Sequence, residues 1–148
     1  ILVMASTGLV VGWRIRSSPL DALLGLLLLL LFAYAFSWIM AYVGLLVPSV
    51  EVVNNASFVV IFPLTFIANT FVQIENLPGV LRTFAEWNPI SAVTQATREL
   101  FGNTNPMVPP PDVWSLRNPV LYTLIWIAVI LAVFVPLSRR QYRRAASR

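Results

Sequence analysis

Lysine, histidine and cysteine are all absent from this chain of 148 residues, and charged residues of any kind make up only 11% of it. Each absence excludes a chemistry. A P-loop needs a lysine on the nucleotide phosphates, so these residues cannot form a Walker-type ATPase. Without His or Cys there is no Ser-His-Asp triad, no cysteine nucleophile, no zinc site of the usual kind and no disulfide. The ten basic residues are all arginine and leave a net charge of +4, but they are scattered through an apolar chain, which argues against nucleic acid as a partner. A soluble domain averages about 25% charged residues. With 58% hydrophobic residues, the expected solvent here is lipid.

Four apolar segments organise what is present. Residues 1–13 fall short of the roughly 20 helical residues that cross a hydrocarbon core, so they are expected to be the end of a span in a longer protein. A signal peptide is the poorer reading, because Arg14 and Arg16 follow the apolar run instead of preceding it. Gly8 and Gly12 form a GxxxG pair, either a helix-packing face or chance in a span that tolerates glycine. Residues 20–47 carry no charge after Asp21 and make a helix about 42 Å long, enough to span. Ser18-Pro19 is a helix start and Pro48 follows the far end. Within that span Ala33, Ser37, Ala41 and Gly44 form a small-residue stripe suited to helix packing. Tyr34, Trp38 and Tyr42 lie on the neighbouring face, either packing or lining a pathway.

Residues 57–74 form the third span, with a kink expected at Pro63. Thr65, Asn69 and Gln73 share one face and Phe62 and Phe66, with Phe58, another. Uncharged polar groups in lipid need partners, so the Thr65–Gln73 face is either a wet substrate path or hydrogen-bond glue between helices. Residues 119–137 make the last span, opened by Asn118-Pro119. Half of the arginines follow it in the tail 138–148, which by the positive-inside rule places the C-terminus in the cytoplasm. Parity then puts the Pro48–Ala56 turn inside, and both Arg14–Ser18 and Glu75–Asn118 outside. Within that outer insert, residues 78–102 read as two short helices that seal the outer face or dip into the leaflet and return. Asn88-Pro89 starts the second of them and Gly102 ends it.

The run Phe62-Pro63-Leu64-Thr65-Phe66-Ile67-Ala68-Asn69-Thr70-Phe71, then Leu77-Pro78, resembles the fifth span and its exit in ABC-2 type transporter permeases. Asn88-Pro89-Ile90-Ser91-Ala92-Val93 through Arg98-Glu99-Leu100 is similar to the signature that follows in that family. In it Asn88, Pro89, Arg98 and Leu100 are the matching positions. The likeness is to the daunorubicin-resistance-like export permeases of bacteria. It implies an all-α, polytopic membrane fold and only the C-terminal half of a six-helix permease, with about three full spans, a truncated one and a re-entrant helix pair. The resemblance further implies a dimer of permease copies, identical or not, in a bacterial plasma membrane. It also implies separate ATP-binding-cassette subunits that hold the ATP and magnesium. The chain itself then carries no cofactor and is not an enzyme. Glu51 and Asn54 would make a minor contact with the ATPase, the main coupling helix lying upstream.

Two functions compete on these grounds. One is an export permease for amphipathic drug-like, lipid or glycolipid molecules, with Phe62, Thr65, Phe66, Asn69 and Gln73 along the path. The other is a membrane anchor that assembles a complex and conducts nothing. A membrane enzyme is the weakest reading, since Glu75, Glu86, Glu99 and Asp112 lie outside with no nucleophile motif.

Overall fold

Three helix starts in this chain, at Ser18, Ser49 and Asn88, are fixed by a side chain that supplies what the first turn lacks. The computed structural model describes residues 2–47, 49–68, 77–104 and 112–146, and the regular elements among them are helices. Helix α1 (Leu2–Val11) stops at Gly12, whose φ of 106° ends the helix at little cost because glycine has no Cβ. Helix α2 (Pro19–Leu46) starts with Ser18 Oγ accepting from the Asp21 amide at 3.1 Å and donating to its carboxylate at 2.8 Å. Helix α3 (Val50–Ile67) starts in the same way, Ser49 Oγ accepting from the Val52 amide. Helices α4 (Gly79–Trp87), α5 (Pro89–Leu100) and α6 (Trp114–Arg117) are short, and α7 (Pro119–Ala146) is as long as α2.

Several boundaries differ from those the sequence suggests. Most of the Pro48–Ala56 segment is the first two turns of α3, because Ser49 caps it and Glu51 suits the positive end of the helix dipole. That start brings Glu51, Asn54 and Asn55 into the helix. Among the described residues, two helices are long and apolar enough to cross a membrane, Pro19–Leu46 and Pro119–Arg143. The basic tail is not separate from the last span, since α7 continues to Ala146. Asn118 does not cap α7 with its side chain; its amide turns back to the Trp114 carbonyl at 3.4 Å. Gly12 lies beyond the end of α1, so Gly8 and Gly12 do not share a helix face.

The core is built where α5 wedges against the long helices. Leu28 and Ala35 of α2, Ala96 of α5, and Ile127 and Ile130 of α7 are buried together, with Phe32, Ile39, Leu100 and Phe134 around them. Toward the other end Ser138 Oγ of α7 donates to the Trp38 carbonyl of α2 at 3.4 Å. The two long helices therefore run in the same direction. Only 22% of the most apolar window of each is buried, which leaves Leu23, Leu24, Leu27, Leu30 and Leu31 exposed along α2. Burying such side chains is worth roughly 1.5–3 kcal/mol each, so lipid or further protein covers these faces.

The α1–α2 turn is fastened to the end of α5. Arg16 N donates to the Phe101 carbonyl at 2.9 Å, and the Trp13 and Phe101 rings meet edge to face at 5.5 Å. Gly25 of α2 packs so close that an added Cβ would fall 2.9 Å from the Phe101 ring. Gly102 ends α5 at φ 66°, its amide bonding to Glu99 O and the next amide to Arg98 O. A Cβ there would sit 2.9 Å from both Arg16 C and Ser17 N, which are backbone atoms with no room to move. In the full-length protein, Gly12→Ala should lower the unfolding midpoint by the conformational term alone, about 1–2 kcal/mol. Gly102→Ala, with the added backbone clash, should lower it clearly further in a thermal melt. Equal losses would show that the turn does not dock on α5.

Candidate functional site

Helix α3 carries the side chains expected to line a path. Phe58, Phe62 and Phe66 stack in a ladder with ring centroids 5.3 and 5.7 Å apart. All three are more than half exposed. The i, i+4 spacing makes the ladder, because it brings side chains one above another on a helix. Thr65 is half-buried and its hydroxyl donates to the Ile61 carbonyl at 2.8 Å within the same helix. The helix continues through Pro63, whose ring removes one backbone hydrogen bond without ending it. Asn69 and Gln73 lie outside the described residues. Glu51 and Asn54 are exposed on the first turns of α3, three residues apart and so on one side. On α2 the stripe Ala33, Ser37, Ala41 and Gly44 is exposed, and the buried face is the neighbouring one through Ala22, Gly25, Leu28 and Ala35.

Where α3, α4 and α5 meet, side chains satisfy one helix end after another. Asn88 is 2% exposed and works in two directions. Its Oδ1 accepts from the Ile90 amide at 2.9 Å, capping α5, and its Nδ2 donates to the Leu64 carbonyl at 2.8 Å in the last turn of α3. The last carbonyls of α4 are also taken. Ala85 O accepts from Asn88 N at 3.4 Å, Glu86 O from Ser115 Oγ, and Trp87 O from the Tyr122 hydroxyl at 2.8 Å. Tyr122 sits among Trp87, Trp114 and Trp126, each edge to face with it at 5.9–6.3 Å. Below, Ala85 and Leu116 are buried with Ile67 and Leu77 packed on them.

The rest of the Asn88–Leu100 pattern has structural work of its own. Pro89 occupies the first turn of α5, Ser91, Ala92 and Val93 are buried, and Leu100 packs on the central core. Glu99 accepts from Gln95 Nε2 at 3.0 Å, and Arg98 stands in the last turn, where a cation suits the helix dipole. Ser115 and Tyr122 escape sequence reasoning because their partners are 29 and 35 residues away, with no local signal. The apolar side of α4 turns outward, leaving Val80, Phe84 and Trp87 exposed. Among the described residues no group of acidic side chains could hold a metal ion.

Replacing Asn88 separates its two bonds. Asn88→Ser keeps an acceptor for Ile90 but cannot reach Leu64, whereas Asn88→Ala loses both. A lost cap costs about 1 kcal/mol and a buried carbonyl left unpaired about 1–3 kcal/mol. In thermal melts of the full-length protein the order of stability should be wild type, then Asn88→Ser, then Asn88→Ala. Equal midpoints for all three would contradict the double cap. Tyr122→Phe, which strands the Trp87 carbonyl, should lose about 1–3 kcal/mol by the same measurement.

A family model described as ABC-2 type transporter matches residues 1–101. The daunorubicin resistance ABC transporter permease protein of Streptomyces coeruleorubidus is 33% identical over 97% of this chain and 48% of its own length. The probable doxorubicin resistance ABC transporter permease protein of Mycobacterium tuberculosis is 27% identical over 99% of this chain and 49% of its own. No solved structure matches the chain significantly. The chain spans about half the length of these curated relatives. It belongs to the ABC-2 type transporter family of membrane-integral permeases.

Proposed function

We propose that the chain is the C-terminal half of a permease that exports amphipathic drug-like, lipid or glycolipid molecules, driven by ATP hydrolysis on a separate subunit. The observation that carries this reading is the exposed phenylalanine ladder on α3, an apolar strip with no described helix packed over it. Ligand sites for such molecules are mostly apolar with few polar groups, and Thr65 of α3, with Asn69 and Gln73 further along the chain, are the candidates for those groups. The names of the relatives, resistance permeases for daunorubicin and doxorubicin, agree with a substrate of this class.

The proposed topology has α2 and α7 crossing from outside to inside, which suits their parallel packing and the arginines at the end of α7. Helix α3, 18 residues long, returns outward as a third crossing. Helices α4 and α5 dip into the outer leaflet, with Val80, Phe84 and Trp87 against lipid. The turn from α2 to α3, with Glu51 and Asn54 on the first turns of α3, meets the ATPase, and a second permease copy completes the path. The membrane is the bacterial plasma membrane.

Removing two rings of the ladder tests the path directly. One aromatic contact is worth about 0.5–1.5 kcal/mol, or roughly two- to tenfold in affinity. Efflux of an amphipathic dye from cells expressing the full-length permease and its ATPase should therefore fall severalfold in Phe62→Ala/Phe66→Ala. Asn69→Leu should also lower efflux, with the amount of assembled complex unchanged. Unaltered efflux in both variants, with the ATPase still co-purifying, would favour the non-conducting anchor.

A further inference from the structure

A cleft of about 510 Å³ opens between the C-terminal parts of α2 and α7, at the end of the bundle away from α5. Its floor is apolar, made by Trp38, Ala41 and Gly44 of α2, and its rim is Arg139, Tyr142 and Arg143 of α7. Gly44 leaves real space, since nothing lies within 4 Å of where its Cβ would be. The Trp38 ring lines this floor, with its indole nitrogen buried away from the opening and without a hydrogen-bond partner.

The arginines pose an unsolved problem. Arg139 and Arg143 are one helical turn apart, a spacing at which like charges repel. With Arg140 and Pro136 they also border a neighbouring hollow, so three arginines line one stretch of α7. Neither the Arg82–Glu86 nor the Arg117–Asp112 ion pair involves any of these three. The helix dipole favours a cation in the last turn, but it gives no reason for arginines to rim an apolar cleft. An anion between Arg139 and Arg143 would remove the repulsion, and arginine binds phosphate oxygens in a two-pronged fashion.

We propose that this cleft binds one anionic phospholipid of the cytoplasmic leaflet. Its phosphate sits between Arg139 and Arg143, and an acyl chain lies along Ala41 and Gly44 beside the Trp38 ring. Charge complementarity selects this occupant. A basic amphiphile would be repelled at the rim, and a zwitterionic lipid would bring an ammonium group to the guanidinium pair. A purely apolar helix would leave both arginines unanswered. The site requires α2 and α7 to span the membrane as proposed above, but not that the chain exports anything. Lipid retention and efflux are separate readouts, so either can fail alone.

The test uses full-length protein in nanodiscs containing equal amounts of phosphatidylglycerol and phosphatidylcholine, with retained lipid counted by native mass spectrometry. Wild type should retain phosphatidylglycerol preferentially. Arg139→Gln/Arg143→Gln should weaken that preference on the order of twentyfold. Arg16→Gln/Arg117→Gln, which removes the same charge at the opposite end of the helices, should not change it. Gly44→Leu fills the floor without altering charge and should also displace the lipid, which keeps the test decisive if the double arginine variant fails to fold. No preference in wild type overturns the proposal. So does a preference that survives both the arginine double variant and Gly44→Leu, as it would if upstream protein covered the cleft.

Discussion

A backbone carbonyl or amide placed in lipid has no water to bond, so each helix end near the membrane must be satisfied by the protein itself. The junction at Asn88 is organised around that constraint. The last turn of α3, the end of α4 and the start of α5 converge there, and three side chains from separate parts of the chain meet their needs. Asn88 serves α3 and α5 at once, and Ser115 and Tyr122 close α4. The tryptophans around Tyr122 hold its ring where the hydroxyl reaches Trp87 O. Short helices that would have little stability alone can thereby end beside one another and still pack α5 between the long spans.

This junction fixes the surroundings of the phenylalanine ladder. Its aromatic strip lies on the helix whose last turn Asn88 holds, while the other end of α3 begins at a Ser49 cap beside the proposed ATPase contact. Helix α3, with Pro63 inside it, thus joins the two regions that the proposed permease would couple. At the other end of the bundle the C-terminal parts of α2 and α7 diverge enough to leave the cleft rimmed by Arg139 and Arg143. The large exposed apolar faces of α2 agree with a chain that spans about half the length of its relatives.

Much of this was legible from the residues. Pro19 and Pro119 at the head of long apolar runs mark α2 and α7, and Asn88-Pro89 with Gly102 brackets α5 closely. The start of α3 was not legible, because Asn54, Asn55 and Ser57 look like a polar turn while the deciding cap lies upstream at Ser49. In α2 the packed face was not legible either. Where nearly every residue is apolar, periodicity does not separate the buried face through Leu28 from the exposed one through Ala33, and only the partner helix decides. Gly102 was readable as a helix terminator but not as the bed for the Arg16–Ser17 backbone. The bonds of Asn88 to Leu64 and Tyr122 to Trp87 join residues 24 and 35 apart, so no local pattern announces them.

The central claim is that α4 and α5 enter the outer leaflet because their ends are satisfied at the Asn88 junction. Since this chain has no cysteine, single cysteines can report its placement in a full-length protein otherwise free of them. A maleimide that cannot cross membranes reacts with thiolate, which needs water. Applied to intact cells, it should label Asn103→Cys, beyond the end of α5, and spare Val80→Cys on the outward side of α4. Equal labelling of the two would place α4 in water and contradict the claim.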